Sequence, residues 1–385
     1  VRVGGSISSI GGSNGSSVTR VDSDGGSVSI TGAGGVTMSS DIITFNGYNG
    51  TSSYGSNGTI TISSGNGTVT SGSGSGVNDG QVSGLLQGGN FVKTGSGIFM
   101  IKGSNTYTGS TTISGGTLML GSTNSIPTGT SLTVTGALDL GGFSQTVSSL
   151  SGSGPVSSSG SGNLVLTVST GNYSGSISNG TASSIGITKT SSNTLTLSGS
   201  SSYTGPTLVS QGVLTVTHSN GLGASSQTTV SSGAALQLQG GISIGALPLS
   251  LTGTGVSSGG ALRNVSGNNS WGGTVTLVTS QTRINSDAGI LTLGGSSSIS
   301  SSNIGLQVGG NGDVVVSGVM SLGTGTLSRD GSGKLTLGGV NVYSGTTSVS
   351  GGGVLRLTNG SGLGTSSMTT VSNGALELEG GVSVG

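Results

Sequence analysis

Three stretches of the chain are copies of one another. Lys93–Gly109 (KTGSGIFMIKGSNTYTG), Lys189–Gly205 (KTSSNTLTLSGSSSYTG) and Arg329–Gly345 (RDGSGKLTLGGVNVYSG) align without a gap. Each runs on into an apolar strand: ISGGTLMLG from Ile113, VSQGVLTV from Val209 and VSGGGVLRL from Val349. The second and third copies stay alike further, NGLGASSQTTVSSGAALQLQGGISIG from Asn220 matching GSGLGTSSMTTVSNGALELEGGVSVG from Gly360. Tyr203 and Tyr343 are equivalent points of these two copies, and the stretch between them is a long super-repeat expected to run past both ends of the chain. Self-similarity of this kind is the mark of stacked-repeat architectures.

The local pattern names the element that is stacked. Apolar and hydroxyl residues alternate in Thr59–Ile62, Thr194–Leu197, Leu214–Val216 and Thr274–Leu277. That period of two belongs to strands with one buried face, and the runs end in Gly, Asn or Ser, which accept turn conformations. No window carries a helical i, i+3, i+4 stripe, and Glu and Lys are scarce. A sandwich or barrel of 385 residues needs large inward side chains, yet aromatics are only 3% of the chain. A solenoid core is one coil thick and can be filled by Val, Ile, Leu and Ala. The expected fold is therefore an all-β solenoid (β-solenoid) forming a single elongated rod. Each coil would take about 22 residues, with stacked strands about 4.8 Å apart.

Along that rod, residues 1–90 read as irregular coils and 91–150 as the first repeat module. Residues 151–186 connect it to the second module at 187–245, and 246–326 connect that to the third at 327–385. With 83 glycines the chain could pass for a flexible linker. Disorder goes with few branched apolar residues and high net charge, whereas this chain has 30% hydrophobic content, placed periodically, and no net charge. Ten basic residues balanced by ten acidic ones argue against nucleic acid and against acidic membranes. No apolar run approaches the roughly 20 residues that span a bilayer, so no membrane insertion is expected in this segment. Absence of Cys fits an exported bacterial protein that uses no disulfide framework. The chain opens at Val1, as a mature product or a fragment would.

The pattern G-x-G-x-L-x-L-x-G-x-N-x-Y-x-G-x-T-x-I-x-x-G-x-L-x-L resembles the autotransporter-associated β-strand repeat. The resemblance is direct over about 93–140, 189–245 and 329–385. It implies a right-handed parallel β-helix displayed outside the cell, as in bacterial autotransporter passengers and very large surface proteins, which adhere, aggregate or build surface layers and in some cases carry enzyme domains. The implied location is extracellular, at the bacterial cell surface.

An aromatic followed two residues later by Gly recurs at Tyr107/Gly109, Tyr173/Gly175, Tyr203/Gly205, Trp271/Gly273 and Tyr343/Gly345. These read as structural corners, the ring covering a coil edge while Gly takes the sharp turn. The other reading is a row of exposed rings that stack on sugars. The intervals suit that poorly, since the one from Tyr173 to Tyr203 is less than half of any other.

Catalysis finds little support. A polysaccharide-cleaving β-helix needs two carboxylates near the scissile bond, and only Asp22/Asp24 and Glu377/Glu379 are paired at i, i+2. Glu377 and Glu379 become Gln237 and Gln239 in the second copy, and the first has Asp139 then Gly141, which reads as a solvated face. His218 is the sole His and reads as a surface residue. Gly309–Asp313 (GGNGD) approaches the calcium nonapeptide, but Asp313 falls one position early and the motif is not in tandem, while Val21–Gly25 (VDSDG) lacks the remaining ligands of an EF-hand loop. Triplets of the glycosylation type at Asn49, Asn57, Asn66, Asn172, Asn179, Asn264 and Asn359 are expected by chance in so Ser/Thr-rich a chain. The expectation is no enzyme, no catalytic residue, no metal and no cofactor. The chain reads as a segment of a stalk or fibre whose partner is itself, by head-to-tail stacking or continuation, with surface glycans as a second class of partner. Alternatives are a carbohydrate-binding face and, further off, an ice-binding or polysaccharide-degrading β-helix.

Overall fold

The structure, a computed structural model, describes residues 89–384 save 280 and 296, the side chain of Leu86, and strand backbones between residues 2 and 87. Every ladder pairing among the described strands is parallel, and none joins strands adjacent in the chain through a hairpin. Such pairing needs a full circuit of chain between partners. The fold is an all-β solenoid, divided into units of residues 1–186 and 187–385.

In the first unit, Phe91–Thr94, Thr111–Ile113 and Ser131–Val134 stack on one face. Ile98–Ile101, Thr117–Leu120, Ala137–Asp139 and Val156–Ser157 stack on the next. Successive strands of that face bring Phe99, Leu118, Leu138 and Val156 into register, all wholly buried. Inward columns of this sort, one from each face, make up the core.

The second unit has three such faces. On the first, the inward column runs Lys189, Val209, Val230, Leu251, Leu277. On the second it runs Leu195, Leu214, Leu236, Leu262, Ile284, Val308, Arg329, Val349. On the third it runs Ile244, Trp271, Leu293, Val316, Leu337, Leu357, Leu378. Coil length varies: Ile187 pairs with Thr207 after a short circuit, whereas Ile244 pairs with Trp271 after a longer one. The surplus residues lie in loops, and one of them contains the short 3-10 turn Val256–Ser258. The intervening outward positions of the first face form a column of hydroxyls: Thr229, Ser250, Thr276, Ser300 and Ser321.

The repeat and the coil do not share a period. The second copy opens on the first face with Ser184–Lys189 and passes to the second with Thr194–Leu197. Six pairings up the first face lead from Ile187 through Thr207, Thr228, Leu249, Val275 and Ile299 to Met320. The third copy opens only afterwards, with Leu327–Arg329 on the second face and Lys334–Leu337 on the third. The super-repeat from the second copy to the third is thus six coils and one face.

Truncating an inward residue leaves a void between two coils that cannot collapse, so Leu236→Ala should cost about 2–5 kcal/mol. Thr276→Ala, in the outward column, should stay within about 0.5 kcal/mol. Native-state amide exchange in Ala235–Gln239 and Val275–Leu277 reads both.

Candidate functional site: a buried cation in a carbonyl cage

Lys93, Lys189 and Arg329 occupy the same position of the three repeat copies, and each sits in an inward column facing Ile113, Val209 and Val349 of the next coil. Their exposures are 0%, 0% and 1%. A buried charge is costly unless every donor is satisfied, and here the acceptors are main-chain carbonyls. Lys93 Nζ donates to Thr94 O at 2.6 Å, Gly95 O at 3.1 Å and Gly115 O at 3.2 Å. Lys189 Nζ donates to Thr190 O at 2.5 Å, Ser191 O at 2.9 Å and Gln211 O at 3.2 Å. An ammonium has three hydrogens, and each cage offers three oxygens: two from the turn that follows the Lys and one from the turn of the next coil. No carboxylate of the described residues lies within ion-pairing distance of either ammonium.

The turn explains how carbonyls converge there. It bends through a left-handed residue, Gly95 (φ 71°) or Ser191 (φ 66°), which turns oxygens away from the ladder. Room for the cage comes from the glycine before the next strand. A Cβ on Gly116 would fall 2.8 Å from Lys93 Nζ, and one on Gly212 would fall 2.4 Å from Ser191 O. In the third copy that turn is one residue longer, Gly351–Gly353. Arg329 there reaches back instead, donating to Val308 O (3.1 Å) and Gly310 O (2.8 Å) of the preceding coil. It also binds Asp330 O (2.9 Å) and Gly333 O (2.9 Å) of its own turn.

The aromatic positions are also internal. Tyr107, Tyr203 and Tyr343 are at most 2% exposed, and their hydroxyls bond the buried hydroxyls of Thr111 (2.7 Å), Thr207 (2.8 Å) and Thr347 (2.9 Å). Tyr173 Oη donates to Gly154 O, and Trp271 Nε1 to Leu247 O at 2.9 Å. Rings so placed offer no face to a sugar. Gly109, Gly175, Gly205, Gly273 and Gly345 each sit at a bend of the chain, without the left-handed conformation. What four of them provide is clearance. A Cβ on Gly273 would fall 1.9 Å from Leu247 O, one on Gly345 would fall 2.2 Å from Gly325 O, and those on Gly109 and Gly175 would meet Asn90 and Gly154 at 2.3 and 2.1 Å.

A further side chain completes the corner. Asn105 takes the Leu86 N–H (2.8 Å) of the coil before and gives its own to Ser125 O (2.8 Å) of the coil after. Asn341 does the same between Met320 N (2.9 Å) and Gly362 O (2.7 Å). Asn269, two before Trp271, takes Ile242 N at 2.7 Å.

The acidic residues are engaged by neighbouring coils. Glu377 Oε2 receives Arg356 Nε (3.0 Å) and lies 3.3 Å from Lys334 Nζ, while Glu379 lies 3.0 Å from Arg356 Nη1. These bonds hold the Glu377 carboxyl below the usual carboxylate range. In the second copy Thr215 stands where Arg356 does, and its hydroxyl meets Gln237 at 3.4 Å. The pair changes together, so the Glu-to-Gln difference reflects a partner as well as a solvated face. Asp139 caps the N–H groups of Gly141 and Ser159, both at 2.8 Å. Asp313 takes Lys334 N (2.9 Å), and His218 Nδ1 takes Asn220 N (3.0 Å). Arg263 pairs with Asp287 at 2.7 Å and Arg283 with Asp330 at 2.8 Å. The side chains of Asp22 and Asp24, and Asn49, Asn57 and Asn66, lie outside the described residues.

Three blocks match the passenger-associated-transport-repeat: residues 91–120, 187–216 and 327–357. The chain therefore carries three repeats of the autotransporter passenger type. Each block spans one buried cation, one aromatic corner and the strands around them, four in the first two blocks and five in the third. No curated protein and no solved structure matches the chain.

Burial lowers Lys93 and Lys189 from 10.5 to about 8. Above that value the unfolded chain holds protons that the folded chain has released, so stability rises with pH. Burial raises Tyr107, Tyr173, Tyr203 and Tyr343 above their ordinary 10.0. Above pH 10 the unfolded tyrosines lose protons that the folded ones keep, and stability falls. The melting temperature should therefore climb from about pH 8 towards 10 and drop beyond it, and a Lys93→Arg, Lys189→Arg double variant should lose the climb. Tyr203→Phe strands the buried Thr207 hydroxyl and should cost about 1–3 kcal/mol in chemical denaturation.

Proposed function

We propose that the chain is a structural and adhesive segment of a bacterial surface protein, a β-solenoid stalk or fibre that works outside the cell and stacks end to end. What supports this reading is the match of three blocks to a passenger-type repeat in a chain whose coils are buried only by stacking on one another. Val230, Leu236 and Leu238 of the second copy are wholly buried because Leu249–Leu251 and Leu262–Ser266 stack upon them.

The reading is non-catalytic. It is supported by the use of the Glu377/Glu379 pair as ion-pair partners between coils rather than as free groups. Adhesion would act through outward hydroxyls, as in the column from Thr229 to Ser321.

Electron microscopy of the intact protein should show long filaments. Short discrete particles for the unaltered protein would overturn the stacking. Antibody labelling of intact cells tests the location.

A further inference from the structure

The three carbonyls around each Lys ammonium come from two coils. Thr94 O and Gly95 O belong to one circuit of the chain and Gly115 O to the next; in the second copy the division is Thr190 O and Ser191 O against Gln211 O. The cage is framed by the same two backbone bonds each time. Ser114 N to Lys93 O (2.8 Å) and Thr117 N to Gly97 O (3.2 Å) enclose the first; Ser210 N to Lys189 O (2.9 Å) and Val213 N to Asn193 O (3.2 Å) enclose the second. The oxygens are therefore held convergent by the ladders on either side and by the glycine that leaves space between them. Only the ammonium head meets them, while the alkyl stem lies in the apolar column.

We propose that each of these turns is a binding site for a small N–H-bearing cation, occupied from within by a tethered alkylammonium, and that filling it is what ties one coil to the next. The ligand class follows from the acceptors. Three neutral carbonyls within 3.2 Å suit ammonium or a primary alkylammonium, which supplies three hydrogens. A quaternary ammonium of equal charge has none to give. Emptying the site by Lys189→Ala leaves the column shorter by a stem and the cage open for a free cation.

The test is amide exchange at 190–193 and 211–213 in Lys189→Ala, in ammonium, methylammonium and tetramethylammonium chloride at equal concentration. Exchange should quicken at least tenfold against the unaltered protein, and ammonium and methylammonium should restore protection while tetramethylammonium does not. A Lys93→Ala variant should repeat the pattern at 94–97 and 115–117. Unchanged exchange in both variants, or equal rescue by all three salts, would overturn the proposal. If Lys189→Ala does not fold in plain buffer, it must fold in ammonium chloride and not in the tetramethylammonium salt; failure in both also overturns it.

Discussion

Every coil depends on its neighbours for its backbone hydrogen bonds. With all described ladders parallel, a strand's N–H and C=O groups find partners only one circuit away, and a buried group left without one is expensive. Side-chain chemistry is arranged around that demand. Where the chain runs straight the ladder suffices, and the inward column needs only Val, Leu or Ile. Where the chain bends, side chains add bonds between coils: Asn105, Asn269 and Asn341 at the aromatic corners, Lys93, Lys189 and Arg329 at the turns.

A cation in a core column looks like a fault until its two ends are separated. The stem packs as an aliphatic residue would against Ile113, Val209 or Val349. The head donates to main-chain oxygens of two successive coils. Lys and Arg solve this in different directions, Lys forward to the next coil and Arg backward to the one before, where a fork of planar donors can reach two carbonyls at once. Asp330, beside Arg329, extends the bracing outward by accepting Arg283 Nη1 at 2.8 Å and Gln307 Nε2 at 2.7 Å. The bare Cα of Gly309 makes that reach possible, since a Cβ there would fall 1.8 Å from Arg283 Nη2.

The fold was legible because its requirement is periodic. Alternation in Thr194–Leu197 and Leu214–Val216 marks strands, and the ungapped copies mark stacking. The cations were in view as well. Ten Lys and Arg in 385 residues make a basic residue at one fixed place in three copies improbable without a reason, but a lone basic residue looks like surface until its column is known. The glycine roles were harder still. Sequence separates poorly the glycine that needs an unusual dihedral, such as Gly116, from one that needs clearance, such as Gly273, because clearance depends on which carbonyl the neighbouring coil delivers. Likewise, Gln237 against Glu377 could not be understood before Thr215 and Arg356 were found opposite them.

The mismatch between repeat and coil has a consequence for whatever the surface touches. Because the super-repeat makes six coils and one face, a feature of one such unit reappears a face further round in the next. With three faces to a coil, three super-repeats in succession would bring it back to its first bearing. In such a succession a contact written once in the sequence would be presented on each of the three faces in turn, as treads recur round a spiral stair.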